Sequence, residues 1–184
     1  KHDGVTHVIV AGPADAAAFE QFKARHADKL GLFGVKMCRG GETHRYESVR
    51  NALAMVPESA THIAVHDAAR PCVPVDALQR LDAELAADAV GGLLAVPVAD
   101  TLKRVDALGL VAETVPRGGL WQVQTPQGAR ADWLREAFAR AGREGWEVTD
   151  EAMLLEKSGR PVAVVEGDPR NVKVTTPADW KLLK

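Results

Sequence analysis

Thr61-His-Ile-Ala-Val-His-Asp-Ala-Ala-Arg-Pro71 decides the fold. A short apolar run ends abruptly in charge, so a strand delivers Asp67 to its carboxyl end and Arg70 follows one turn later. Working outward, strand-length and helix-length patterns alternate. Strands are expected at His7–Ala11, Gly34–Cys38, Thr61–Val65, Gly91–Val98, Pro161–Val165 and Asn171–Thr175. Helices are expected over Asp15–Leu30, Tyr46–Met55, Asp76–Ala87, Asp132–Arg143 and Thr149–Lys157, where Leu78, Leu81 and Leu85 show the three-and-four spacing of a core-facing stripe. A last helix starts at Thr176-Pro-Ala-Asp179, with Thr as cap, Pro at the first position and Asp three residues after the cap. Strands separated by helices predict an α/β protein with a largely parallel sheet covered on both faces. Ligands of such folds bind outside the carboxyl ends of the strands.

One stretch departs from the alternation. Thr101–Val105 and Leu110–Val115, joined across Asp106-Ala-Leu-Gly109, read as a hairpin too polar to be buried on both sides. It is expected to leave the main sheet as an arm over about residues 100–123. The chain of 184 residues is otherwise expected to be one domain.

Composition narrows the function. With 23 Lys and Arg against 25 Asp and Glu, the net charge of -2 gives no broad basic face for nucleic acid. Cysteines are two, Cys38 and Cys72, which excludes a disulfide scaffold and suits a reducing compartment. No run reaches the ~18 apolar residues of a membrane span. Lys1-His-Asp-Gly4 is no signal peptide and carries no initiator Met, so the chain is expected to be less than the whole gene product. There is no G-x-G-x-x-G, no G-x-x-x-x-G-K and no G-x-S-x-G, which disfavours a dinucleotide dehydrogenase, a P-loop NTPase and a serine hydrolase. No His/Cys cluster has zinc-ligand spacing.

Asp67 can hold a hard cation such as Mg²⁺, and Arg70 beside it can bind phosphate oxygens; the plain alternative is a salt-bridged loop pair. His66 is expected to be packed rather than catalytic. Gly40-Gly41 permits close approach of backbone to a base or a phosphate, or forms only a turn, and Ser48 caps the next helix or contacts ligand. Thr101, Arg117, Thr125, Thr149 and Lys173 lie at element ends and would suit a phosphate monoester and an anionic transition state, although Lys173 also reads as an edge-strand Lys.

Five motifs follow in order: Val65-His-Asp-Ala-Ala-Arg-Pro71, Pro97-Val-Ala-Asp-Thr-Leu-Lys-Arg104, Val115-Pro-Arg-Gly-Gly-Leu-Trp-Gln-Val-Gln-Thr-Pro-Gln127, Thr149-Asp-Glu-Ala152 and Val165-Glu-Gly-Asp-Pro-Arg-Asn-Val-Lys-Val-Thr175. Together they resemble the 2-C-methyl-D-erythritol 4-phosphate cytidylyltransferase family, from about Val5 onward. The resemblance implies a Rossmann-like three-layer αβα nucleotidyltransferase sheet and transfer of a cytidylyl group from CTP to methylerythritol phosphate, releasing pyrophosphate. It implies a divalent cation, Mg²⁺ or another, at Asp67. It puts Gly41, Glu42, Ser48 and Ala68 against the nucleotide, and Arg70, Thr125, Thr149 and Lys173 around the sugar phosphate, with Lys173 facing the reacting phosphate. Thr101 and Arg117 would act from the arm on the partner's site in a homodimer, which makes Asp67, Lys173 and Arg117 the catalytic set.

The resemblance also implies departures. The family opens with a strand and a Gly-rich loop, bearing an Arg and a Lys, that grip the triphosphate; this sequence begins at what matches the second strand. The Gly40–Ser48 loop runs one residue longer than the common form, so the base contact falls on Glu42 or Thr43. Arg170 stands where a carboxylate is common, leaving Asp168 as the nearest acid for a second metal ligand. Alternatives are a sister cytidylyltransferase acting on ribitol 5-phosphate, and a non-catalytic remnant that dimerises or binds a sugar phosphate. Arg117 with Leu120-Trp121 leans toward methylerythritol. The resemblance places the protein in the cytoplasm, or in a plastid if the source is a plant or alga, with no nucleic-acid or membrane partner.

Overall fold

The computed structural model describes residues 4–87 and 90–183. A parallel pair of strands, β1 (Val8–Gly12) and β2 (Val35–Arg39), is joined by α1 (Ala16–Gly31). α2 (Arg45–Leu53) then leads to β3 (His62–Val65), and α3 (Val75–Ala86) to β4 (Gly91–Pro97). The hairpin of β5 (Leu102–Val105) and β6 (Val111–Val115) follows, then β7 (Trp121–Arg130), α4 (Ala131–Glu144), α5 (Glu151–Lys157) and β8 (Val162–Glu166). A 3-10 turn, Asp179–Leu183, comes last.

The main sheet has the order β3-β7-β4-β8. β3, β4 and β8 run one way, and β7 runs against both of its neighbours. The expected mostly parallel α/β sheet is present, with one antiparallel strand in its middle. That strand, β7, is not among those expected from the sequence; Gln122, Gln124, Pro126 and Gln127 interrupt its apolar residues. The Thr125–Pro126 peptide bond is cis. Conversely, no strand forms over 171–175: that segment is held instead by the Val174 amide on the Ala69 carbonyl (2.8 Å) and by the buried Asn171 side chain, which donates to the Thr125 carbonyl (2.9 Å).

Period-two alternation along β4 explains the layers. Leu94 turns to one face and packs with Leu81 and Leu85 of α3 and with Val165 of β8. Leu93 and Ala95 turn to the other and meet Ala152 of α5. Beyond them, Leu134 and Phe138 of α4 pack with Leu154 and Leu155 of α5. Both helical layers approach closely because β4 begins with two glycines. A Cβ on Gly91 would lie 2.8 Å from Leu155, and one on Gly92 2.8 Å from Leu81. Each buried leucine contributes roughly 1.5–3 kcal/mol through removal from water.

Capping follows the sequence. Asp15 accepts the Ala18 amide at the head of α1, and Asp150 accepts that of Met153 at the head of α5. Gly145 ends α4 in the left-handed region at φ 66°, where a side chain would be strained. Asp179 accepts the amides of Thr175 and Thr176, and the Thr176 hydroxyl accepts that of Asp179. Thr176 therefore caps as expected, but the turn it starts is 3-10.

The hairpin stands off the sheet. Lys103 pairs with Thr114 and Arg104 with Glu113 across it (both 2.6 Å), while Val105, Leu108, Leu110 and Val111 are exposed. Its returning end differs from the expected boundary: Trp121 and Gln122 already pair with Pro97 and Val96 in the main sheet.

A candidate active site at the end of β3

A cleft of about 470 Å³ opens between β1 and β3 and is roofed by α2. Ile9 and Val10 form one wall, Ile63 and Val65 the other, and Asp67, Arg45 and Lys173 stand at its polar end. A second hollow of about 630 Å³, lined by Arg70, Gln124 and Asn171, adjoins it, and Lys173 lines both.

Asp67 is the centre of this arrangement. Its Oδ1 accepts from Arg45 Nε (2.9 Å) and its Oδ2 from Lys173 Nζ (2.9 Å), with Arg70 Nε 3.9 Å from Oδ2. Burial pushes the Asp67 carboxyl up, but the hydrogen bonds and charges of Lys173 and Arg45 outweigh it and hold it below the usual range. Burial lowers the Arg70 guanidinium despite the charge of Asp67. Arg70 gives Nη1 to the Asn171 carbonyl (2.7 Å), while its buried Nε makes no hydrogen bond. The charge of Arg70, together with those of Lys173 and Arg45, makes the surroundings of Asp67 cationic, which suits an incoming anion.

The loop that presents Asp67 is fixed by a chain of hydrogen bonds. The Asp67 amide donates to Thr125 Oγ1 (2.9 Å), which lies 3.0 Å from His66 Nδ1, and His66 Nε2 lies 2.9 Å from the Arg70 carbonyl. A carbonyl only accepts, so Nε2 carries the proton and Nδ1 accepts from the threonine. His66 is thus a brace, as expected from its position. Thr125 is buried and its hydroxyl is committed to the same brace.

Glycine and serine assignments also acquire a local reason. Ser48 Oγ accepts the Gly41 amide (2.9 Å), and Asn51 donates to the Gly40 carbonyl (3.2 Å). A Cβ on Gly41 would sit 2.1 Å from that of Glu47. Gly41 is therefore required by the head of α2. Ser48 and Ala68 line the cleft, and Glu42 is exposed.

The remaining expected residues lie apart from Asp67. Thr149 is exposed ahead of α5, its hydroxyl 3.6 Å from Met153 Sδ. Thr101 and Arg117 are exposed at the base of the arm. Asp168 is held by Arg170, whose Nε and Nη2 reach its two oxygens at 2.9 and 2.6 Å, and this pairing holds its carboxyl down to about 2. Among the described residues no group of three His, Cys, Asp or Glu side chains could hold a metal. Asp67 alone still fits Mg²⁺: each oxygen accepts one hydrogen bond and keeps a lone pair, and Mg²⁺ is commonly held by one or two carboxylates plus substrate phosphates.

Two residues were missed. Arg45 and Glu151 join the cluster, Arg45 giving Nη1 and Nη2 to the two Glu151 oxygens (2.7 and 3.1 Å). From sequence alone, Glu151 and Asp150 are first-turn acids of a helix, where they favour the helix dipole. Glu151 is 1% exposed, and no spacing rule links positions 45 and 151. A faint signal existed in Ala152-Met-Leu-Leu155, an apolar run directly behind an acid.

An αβα sheet that gathers a carboxylate and three cations where two hollows adjoin is the arrangement of a nucleotidyltransferase site, and comparison with known proteins assigns that class. The family described as 2-C-methyl-D-erythritol 4-phosphate cytidylyltransferase matches residues 1–183. The protein of that name from Burkholderia multivorans is 46% identical over 180 residues, 95% of this chain and 73% of that protein. That from Prochlorococcus marinus is 42% identical over 96% of this chain and 76% of its own length. A crystal structure of 4-diphosphocytidyl-2C-methyl-D-erythritol synthase superposes with a TM-score of 0.80 at 39% identity, covering 99% of this chain and 82% of that one. The Thermus thermophilus cytidylyltransferase gives 0.73 at 37% identity, covering 81% and 71%. The chain belongs to the 2-C-methyl-D-erythritol 4-phosphate cytidylyltransferase family and is an enzyme that transfers a cytidylyl group from CTP to methylerythritol phosphate. Among the described residues no helix is long and apolar enough to cross a membrane.

Proposed function

We propose that the two hollows divide the substrates, with Lys173 between them. CTP lies at the polar end of the 470 Å³ cleft, marked by Arg45, Asp67 and Lys173, with its base and ribose against Ser48 and Ala68 and toward Gly41 and Glu42. The phosphate of methylerythritol phosphate enters beside Arg70 and Lys173, with Thr149 at its rim and Thr125 holding the Asp67 loop in place. One oxygen of that phosphate attacks the α-phosphorus of CTP in line. The new P–O bond forms as the bond from the α-phosphorus to the bridging oxygen breaks, and pyrophosphate leaves with the electron pair. Little covalent work falls to the protein, so positioning and charge neutralisation carry the rate. Lys173 supplies positive charge to the reacting phosphate, and Arg70, held by the Asn171 carbonyl through Nη1, adds positive charge beside the nucleophile. Asp67 would hold Mg²⁺, which would supply charge neutralisation to the triphosphate.

Thr101 and Arg117 complete the partner's site in a homodimer formed through the arm; the exposed Val105, Leu108, Leu110 and Val111 support such an interface. The free thiols of Cys38 and Cys72 support a cytoplasmic setting.

The observation that carries this reading is the convergence of Lys173, Arg70 and Arg45 on Asp67 where the hollows join. Pyrophosphate release by the full-length protein tests it. CTP with methylerythritol phosphate should give turnover, and ribitol 5-phosphate should not replace it. Turnover with ribitol 5-phosphate alone would reject the substrate; binding of sugar phosphate without any turnover would favour a non-catalytic remnant.

A further inference from the structure

Asp67 has two partners of unlike mobility. Lys173 reaches Oδ2 on a flexible stem, and its side chain is 43% exposed. Arg45 reaches Oδ1 through Nε while both terminal nitrogens are held by Glu151. Guanidinium is planar and rigid, so a carboxylate that grips one edge of the fork fixes the direction of Nε. Glu151 cannot turn to water, being 1% exposed in the first turn of α5. Burial pushes its carboxyl up, with Arg45 opposing. Arg45 itself opens α2, at an end where a cation meets the unfavourable side of the helix dipole. Two carboxylates offset that placement. The pair thus ties three segments together: the nucleotide-side loop at α2, the Asp67 loop after β3, and the Thr149 segment before α5.

From this geometry we infer that Arg45, clamped by buried Glu151, is a positioning residue that holds the Asp67 carboxylate by Oδ1 while Lys173 leaves Oδ2 for the reacting phosphate. The inference rests on the cytidylyl-transfer reading for its catalytic consequence, and on the fold alone for its structural one. Arg45 has no freedom to follow an anion, because its fork is taken. Lys173 has that freedom. Loss of the clamp would let Arg45 swing toward the phosphates or onto Oδ2, and Asp67 would lose its fixed orientation.

The test uses the full-length protein with Arg45→Lys and Glu151→Gln, in two readouts. In steady state, both variants should lower kcat by about ten-fold or more while the KM for CTP stays within about three-fold, since a misplaced charge acts on the transition state rather than on ground-state binding. In thermal unfolding, the Tm loss from Glu151→Gln should differ by about 2 °C or more between the Asp67 and Asp67→Asn backgrounds. That difference should vanish when Arg45→Met is also present, because Glu151 and Asp67 meet only through Arg45. Folded variants with wild-type kcat, or additivity that is the same with and without Arg45, would overturn the inference and leave the pair a structural clamp. If the wild-type protein transfers no cytidylyl group, the functional reading fails instead, and the unfolding cycle alone decides the positioning inference.

Discussion

Asp67 is more than the acid at the end of a strand. Its amide is fixed by Thr125, its Oδ1 by Arg45 and its Oδ2 by Lys173, so its carboxylate is favoured in the folded state. A carboxyl lowered on folding stabilises the protein fully above the unfolded value of about 3.9, and that contribution is lost as pH falls through the lower folded value. The Tm difference between wild type and Asp67→Asn should therefore be largest near neutrality and shrink below about pH 4. Melting curves taken from pH 7 to 3 check this; a constant difference would mean that Lys173 and Arg45 do not hold the charged form. At this scale the sequence was legible where a residue stands next to its partner in the chain. Asp67 and Arg70, three apart, were legible as a charged pair. Arg45 and Glu151 were not, because contact across 106 positions leaves no mark on local spacing.

Elements were legible where one physical signal dominated. α1, α3 and α4 fall within a residue or two of their expected spans, since each carries an apolar stripe with recognisable ends. β7 was not, although it lies at the centre of the main sheet. Its burial runs unbroken from Gln124 to Ala129, so polar side chains sit inside and satisfy one another: Gln127 donates to Asp150 and accepts the Ala152 amide, and Gln124 donates to the Asp168 carbonyl. A pattern rule that equates buried with apolar cannot find such a strand. The segment 171–175 failed in the other direction, since alternating Val and polar residues there serve loop contacts instead of a ladder. The turn between β2 and α2 gives a prediction of its own. Gly41→Ala would place its Cβ 2.1 Å from that of Glu47. Overpacking of this kind costs about 1–3 kcal/mol. The variant should melt lower and bind CTP more weakly, as read by calorimetry and by KM for CTP; unchanged values of both would show that the turn has room.

At the scale of the molecule, the site is built from parts far apart in sequence, and the arm stands away from all of them. Thr101 and Arg117 are exposed at the base of the arm, and the proposed reading has them serve a second copy. Mixed dimers of Arg117→Ala and Asp67→Asn chains test that arrangement. Each homodimer should be nearly inactive, and the mixture should regain about one working site per mixed dimer, because one interface then pairs an intact Asp67 with an intact Arg117. Absence of rescue would place both residues in the same chain's site. The fold class was legible from the strand–helix alternation alone, whereas the joined hollows appear only when β3, α2 and the 167–175 segment pack together. The central claim is that CTP and sugar phosphate meet where those hollows join. A crystal structure of the full-length protein with CTP, Mg²⁺ and methylerythritol phosphate tests it most directly. The account predicts the α-phosphorus and the sugar phosphate between Asp67 and Arg70, with Lys173 Nζ moved from Asp67 onto a phosphate oxygen and Arg45 still on Glu151. Nucleotide bound elsewhere, with the Asp67–Lys173 pair intact, would contradict it.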